Sequence, residues 1–459
     1  MERQQDDPRS SKPTVGKLRP YLPRLLLWAS VGLWAGPAEG QIALEKPPIN
    51  YLKATATDAV AQLQKRIDAG EVELKHDAQH GYLKSVLEHL DVSTTSQTLV
   101  FSKTSFQVRH ISPQTPRAVY FGDDTYVGWV QDGSLLEISV VDPNLVTNFY
   151  SLSQKKNDAP RFTRHTQQCL QCHRSRMTRG VPGHVVRSVY PGLDGIPIYS
   201  AGTYLSDHSS PLKERWGGWY VTGEHGGQRH LGNLLVGDPD NARRVDTDRG
   251  ANLDDLSSLF DTTPYLTPHS DIVALMVLEH QVNMHNRIGR ANFLARIALS
   301  DEQAMNRALD RPASSRAEST SQRINSAAKP VVEHLLFCQE TELTAPIVGT
   351  SGFTQEFADR GPRDRRGRSL YELDLKRRLF KYPCSYLIYS EGFDSLPQLV
   401  QDQVYQKLWN VLTGLETGDD YNHLSSADRT AILEILRDTK RGLPDYWRST
   451  INQTPTDGE

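Results

Sequence analysis

Residues 162–177 read FTRHTQQCLQCHRSRM, and the strands and helices on either side are ordered around this stretch. Its centre, Cys169-Leu170-Gln171-Cys172-His173, has the C-x-x-C-H spacing of covalent haem attachment. Cysteines three apart fall on one side of a helical turn, so both sulfurs reach the two vinyl groups on one haem edge. A histidine directly after the second cysteine brings its imidazole beneath the iron as the proximal ligand. With four Cys and fifteen His in 459 residues, a shuffled chain would show the pattern on the order of once in a thousand trials. The motif predicts one haem c, bound through Cys169 and Cys172, with His173 on the iron.

Two other chemistries use a C-x-x-C. A structural zinc site usually brings a second close pair of cysteines, whereas Cys338 and Cys384 lie far apart in the chain. A thioredoxin-like dithiol sits at a strand-to-helix turn, whereas DAPRFTRHTQQ (residues 158–168) reads as a loop. Cys338 and Cys384 are compatible with a disulfide or with two free buried thiols, because sequence does not supply their separation.

The strands around the motif set the fold class. From Thr98 onward TLVFSKTSFQV, RAVYFG, TYVGWV and LLEISVVD are short, β-branched and aromatic, divided by DD, QDGS and DPN turns. They predict an antiparallel meander running through FYSLSQKKNDAPRF into the motif. HVVRSVYP, IPIYSAGTYL and WGGWYVTG follow as further strands, so the motif is an insertion between strands. Before the meander, Asp58 caps AVAQLQKRIDAG, and GYLKSVLEHLDV carries Leu83, Val86, Leu87 and Leu90 on one face. After it, Ser270 is the expected cap of DIVALMVLEHQVNMHNRIGRANFLARIAL, whose first half is apolar nearly all round and hence buried. A polar stretch over residues 301–329 and a short helix at VVEHLLFCQ follow. A helix after Pro397, with Val400, Val404, Leu408 and Val411 in register, and another begun by a Ser425–Asp428 capping box complete the chain. The expected class is α+β, an antiparallel β-rich haem-bearing domain flanked by N-terminal helices and a C-terminal helical domain. The expected boundaries are residues 1–40 for a signal peptide, 41–95 for the N-terminal helices, 96–250 for the haem domain and 251–459 for the helical domain.

The first forty residues carry Lys12, Lys17, Arg19 and Arg24, then the apolar run LLLWASVGLWAG, then Pro37-Ala38-Glu39-Gly40. The run is shorter than the roughly 20 residues of a membrane span. Small residues at −3 and −1 predict cleavage before Gln41, hence a periplasmic or secreted protein. No later apolar run is long enough to span a bilayer, so no membrane span is expected in the mature chain. The 46 basic and 51 acidic residues after position 40 leave a net charge of −5, which offers no basic field to nucleic acid.

The sixth iron position decides what such a haem does. Met177 lies four residues past His173, too close in sequence to reach the opposite haem face. His184, His208, His225 and His230 lie after the motif, and His280, Met284 and His285 lie on the buried helix. His230, in HGGQRHLGN (residues 225–233), is the first candidate for distal ligand, because glycines let backbone approach a flat macrocycle. His184, His280 and Met284 are the alternatives. Arg215, Trp216, Trp219 and Tyr220 are candidates to pack on the haem or meet its propionates, and His165 is a candidate supporting residue; the bland reading of each is core or surface packing.

INYLKATATDAVAQLQ, LVFSKTSFQ, YVGWVQ, CLQCH, GVPGHVVRSVYP, RWGGWYVTG and ALMVLEHQ carry a resemblance to secreted bacterial cytochrome c domain proteins. It covers most of the mature chain and implies covalent haem and electron transfer. The order of strands, CLQCH, hairpin and WGGWYVTG also resembles haem-bearing PAS-like sensor domains. Three functions follow as expectations: a monohaem electron carrier with a redox partner protein, a haem enzyme acting on peroxide or another small oxidant, and a haem-based ligand sensor. A dihaem peroxidase would need a second C-x-x-C-H, and the chain has one.

Overall fold

The alternation in residues 98–153 becomes five consecutive antiparallel strands: β1 (Thr98–Val100), β2 (Arg117–Phe121), β3 (Thr125–Trp129), β4 (Leu135–Asp142) and β5 (Val146–Ser153). The computed structural model describes residues 42–103 and 107–448; the signal peptide expected over residues 1–40 lies outside them. β6 (Thr163–Arg164) pairs with β5. The chain then makes a helical turn, α3 (Leu170–His173), and a separate hairpin of β7 (Val186–Val189) and β8 (Thr203–Ser206). β9 (Trp219–Tyr220) returns to the far edge beside β1, giving the sheet order β6-β5-β4-β3-β2-β1-β9.

Both faces of this sheet are covered, which is why β3 is buried at every position. On one face Leu99, Ala118, Tyr120, Val127, Leu136 and Ile138 share a core with α1 (Ala59–Asp68) and α2 (Leu83–His89). Asp58 caps α1 by accepting from the Ala61 N–H, as the sequence indicates. On the other face Val100, Phe121 and Tyr126 share a core with the helical layer.

That layer is built on α4 (Ile272–Ala308). Its cap is Asp271, whose Oδ1 accepts from the Val273 and Ala274 N–H groups. Ser270, the expected cap, does something else: its hydroxyl donates to Tyr220 O at 2.6 Å and accepts from Leu99 N–H at 2.9 Å. The start of the helix is thereby tied to β1 and β9. Further along, a Cβ at Gly289 would stand 2.1 Å from Val146 Cγ1, so only glycine lets the helix rest this closely on the start of β5. α4 continues past Leu299, and α4 and α5 (Glu318–Leu335) together cover most of the polar stretch over residues 301–329. Glu302 on α4 accepts from the Ala317 N–H at the start of α5. α6 (Phe353–Arg360), α7 (Glu391–Asp394), α8 (Gln398–Leu412) and α9 (Ser426–Thr439) follow. Val400, Val404, Leu408 and Val411 are buried on α8, and the Ser425–Asp428 capping box opens α9, both as expected. Each fully buried Leu, Ile or Val contributes about 1.5–3 kcal/mol.

The architecture is α+β, with an antiparallel sheet in the middle and a helical C-terminal region. From Ile42 onward the chain forms one compact unit. Among the described residues, no helix is long and apolar enough to cross a membrane.

Candidate functional site

One transverse row of the sheet supports the motif. Tyr126 on β3 pairs with Ser139 on β4, which pairs with Phe149 on β5, so their side chains project from the same face. Over this row lie two imidazoles. His184 rests on Tyr126 and Phe149, with ring centroids 4.8 and 5.5 Å away, and its Nε2 is 2.8 Å from Ser139 Oγ. His173 rests on Phe149 at 4.8 Å and faces His184 at 5.2 Å.

The motif itself forms the turn that its spacing predicts. Cys169 caps α3, and its carbonyl accepts from the N–H groups of Cys172 at 3.2 Å and His173 at 2.9 Å. Both cysteines are free thiols, Cys169 half-buried and Cys172 exposed. Burial pushes the Cys169 thiol up to about 11, with Glu137 adding in the same direction. A redox-active dithiol needs the opposite shift. Among the described residues, the metal-ligating side chains that converge in a group of three are His208, His280 and His334, none of them from the motif. Neither the dithiol nor the zinc reading gains from this geometry.

His173 is fixed by the segment that follows it. Its Nδ1 lies 2.9 Å from Gly183 O; a carbonyl only accepts, so Nδ1 carries the proton and Nε2 keeps its lone pair. Burial holds the imidazole below its ordinary pKa, hence neutral at pH 7. This is the tautomer and charge state that an iron ligand requires. The same segment is clamped by α4. Asn286 Oδ1 accepts from the His184 N–H, its Nδ2 donates to His184 O at 2.6 Å, and Arg290 donates to Arg179 O at 2.7 Å. A Cβ at Gly183 would lie 1.9 Å from Asn286 Oδ1, so glycine is needed for that clamp to close. His165 supports the same face through Ser151 Oγ at 2.7 Å.

Two thiols and an imidazole protonated at Nδ1 are the residue types that would hold a covalently bound haem. Two surface clefts are lined by other residues, among them Ile49, Asn50 and Arg296 in one and Thr354, Gln355 and Lys376 in the other.

The other candidate residues are dispersed. His230 packs on Trp216 and His225, with ring centroids at 5.4 and 4.7 Å, in the loop that follows β9. β9 is five strand steps from β5, roughly 24 Å along the sheet. That distance removes His230 from the iron that His173 would hold, and its loop is instead pinned by a His225–Asn252 pair of hydrogen bonds. His280 meets His208 and His334 in the helical layer, Met284 is fully buried in the main core, and His285 Nδ1 bonds the Tyr126 hydroxyl at 2.8 Å. Met177 is exposed. Arg215 is buried and grips Glu279 at 3.0 Å and His208 O at 3.1 Å. Trp216, Trp219 and Tyr220 are buried, Trp219 and Tyr220 donating to Arg187 O and Pro113 O. Cys338 and Cys384 are both free and buried. Reading the sequence alone missed Asn286 and His334. A run of polar residues on an apolar helix, Glu279-His280-Gln281 and His285-Asn286, was the signal for the first.

The chain matches no family model, and comparison with curated proteins and with solved structures yields no match either.

Proposed function

We propose that the chain is a monohaem c-type cytochrome, exported to the periplasm or beyond, that transfers electrons to or from a redox partner protein. The observation that carries this is the His173 imidazole, neutral, protonated at Nδ1 and bonded to Gly183 O, on the same turn as two free thiols. Cys169 and Cys172 would each hold the haem by adding S–H across one vinyl, which needs reduced thiols and no oxidant. When bound, haem supplies a one-electron couple at its iron. His173 Nε2 would hold the iron, and the bond to Gly183 O keeps the ring from turning.

His184 takes the place of His230 as first candidate for the sixth position. It is the histidine beside His173, at 5.2 Å between centroids; ligation would require the two rings to part to admit the haem and Ser139 to release the His184 Nε2. Burial and the neighbouring His173 hold it neutral. A filled sixth position favours the carrier over the two open-iron readings, the peroxide-type enzyme and the PAS-like sensor. The test is the absorption spectrum of the reduced protein with and without carbon monoxide. A spectrum indifferent to carbon monoxide supports the carrier; one that shifts fully to a carbon monoxide adduct puts an open-iron function in its place.

A further inference from the structure

Away from the motif, three histidines meet in the helical layer. His208 follows β8, His280 is on α4 and His334 is near the end of α5; all three are buried, and one ring nitrogen of each lies within 4.8 Å of the others. Their outer nitrogens are all engaged by protein oxygens. Nε2 of His208 is 3.2 Å from Cys338 O, Nε2 of His280 is 2.7 Å from Ser385 Oγ, and Nε2 of His334 is 3.4 Å from His280 O. That leaves the three Nδ1 atoms, and those of His208 and His280 face each other at 3.1 Å. Phe337 stacks on His280 at 4.2 Å and Phe380 packs against Phe337 at 5.2 Å, closing one side with apolar rings.

We propose that His208, His280 and His334 bind a divalent late transition-metal ion, of the class of zinc and copper, through their Nδ1 atoms. Ligating histidines characteristically give their other ring nitrogen to a carbonyl or hydroxyl oxygen, which fixes the tautomer; here all three have such a partner. Two nitrogens on a tetrahedral ion at about 2.0–2.1 Å stand roughly 3.3 Å apart, close to the 3.1 Å between His208 and His280. His334 stacks on His208 and His280, with ring centroids 4.3 and 4.8 Å away, so its ring must turn to aim Nδ1 at the ion, and its outer bond is the longest of the three. Three imidazoles with neither thiolate nor carboxylate suit zinc or copper and not calcium or magnesium. Glu279 is adjacent in sequence but is bound to Arg215. His280 without a metal donates Nδ1–H to His208 Nδ1; on binding, its proton passes to Nε2 and Ser385 becomes the acceptor.

The full chain, stripped with chelator and given zinc, is measured by elemental analysis and zinc-edge X-ray absorption. One zinc per chain with a shell dominated by three imidazole nitrogens is expected, with a raised unfolding temperature that chelator reverses. His334→Gln should bind zinc at least 100-fold more weakly. Failure to take up zinc, cobalt or copper at micromolar free metal overturns the site. So does a folded His334→Gln with undiminished affinity, or a wild-type shell of oxygen or sulfur. If His334→Gln does not fold, the wild-type absorption shell decides alone.

Discussion

His173 and Gly183 are joined twice: the Gly183 N–H donates to His173 O, and His173 Nδ1–H donates to Gly183 O, each at 2.9 Å. The first bond folds the segment after the motif back onto α3. The second orients the imidazole. A residue ten positions downstream thus sets which nitrogen of His173 keeps its lone pair.

Asn286 secures that arrangement, so the bond should be sensitive to volume at position 183. Gly183→Ala places a Cβ into Asn286 Oδ1 and is expected to cost about 1–3 kcal/mol, with a lower haem yield. In an Asn286→Ala background the same substitution should cost less than half as much, because the clash is gone. Denaturant unfolding of the four proteins measures this; equal costs in both backgrounds would mean the strain lies elsewhere.

The iron spectrum should separate the two histidines. His184→Ala is expected to turn a low-spin ferric haem high-spin and open it to carbon monoxide, and His230→Ala to leave it unchanged. Electron paramagnetic resonance reads the spin state. A His184→Ala protein that stays low-spin clears His184 of the sixth position.

Arg215 and Glu279 form a buried ion pair at 3.0 Å, exposed by only 4% and 0% at their side chains. Removing one partner strands the other charge, so Arg215→Ala should cost about 3–5 kcal/mol. Replacing both, as Arg215→Met with Glu279→Leu, should recover most of that loss. Chemical denaturation checks it, and a single substitution costing under about 1 kcal/mol would show the pair to be hydrated.

Acid should destabilise the protein through His230. Burial, with help from His225 and Arg229, pushes its pKa down to about 3, while the unfolded chain protonates it near the ordinary 6.5. Between these values the unfolded state binds the extra proton, so stability falls as pH falls from 6.5 towards 3, by about 1.4 kcal/mol per pH unit. His230→Asn keeps an acceptor for the Gly232 N–H and should flatten the stability profile by one proton. A wild-type profile no steeper than the variant's would place the charged form comfortably in the fold.

What sequence reveals here is local. Asp58, the Ser425–Asp428 box and the alternation of β2 to β5 act within a few residues of themselves, and each element formed where they put it. The C-x-x-C-H turn is legible for the same reason. β9 beside β1, by contrast, depends on a chain reversal of more than a hundred residues, and Ser270 looked like a cap until its hydroxyl found Tyr220 and Leu99 across that reversal. His230 was attractive for its glycines, but glycine permits close approach without saying to what. His184 gained its place from a register, Tyr126–Ser139–Phe149, that only strand pairing supplies. The three-histidine cluster draws on positions 208, 280 and 334, too far apart for any motif.

The central claim is covalent haem on Cys169 and Cys172. The most direct measurement is the intact mass of the chain after coexpression with a c-haem maturation system, under denaturing conditions. The wild type should weigh more than its polypeptide by one haem, and Cys169→Ala with Cys172→Ala should show the polypeptide mass alone. A wild-type chain at polypeptide mass, or a double variant that keeps the adduct, would contradict the account.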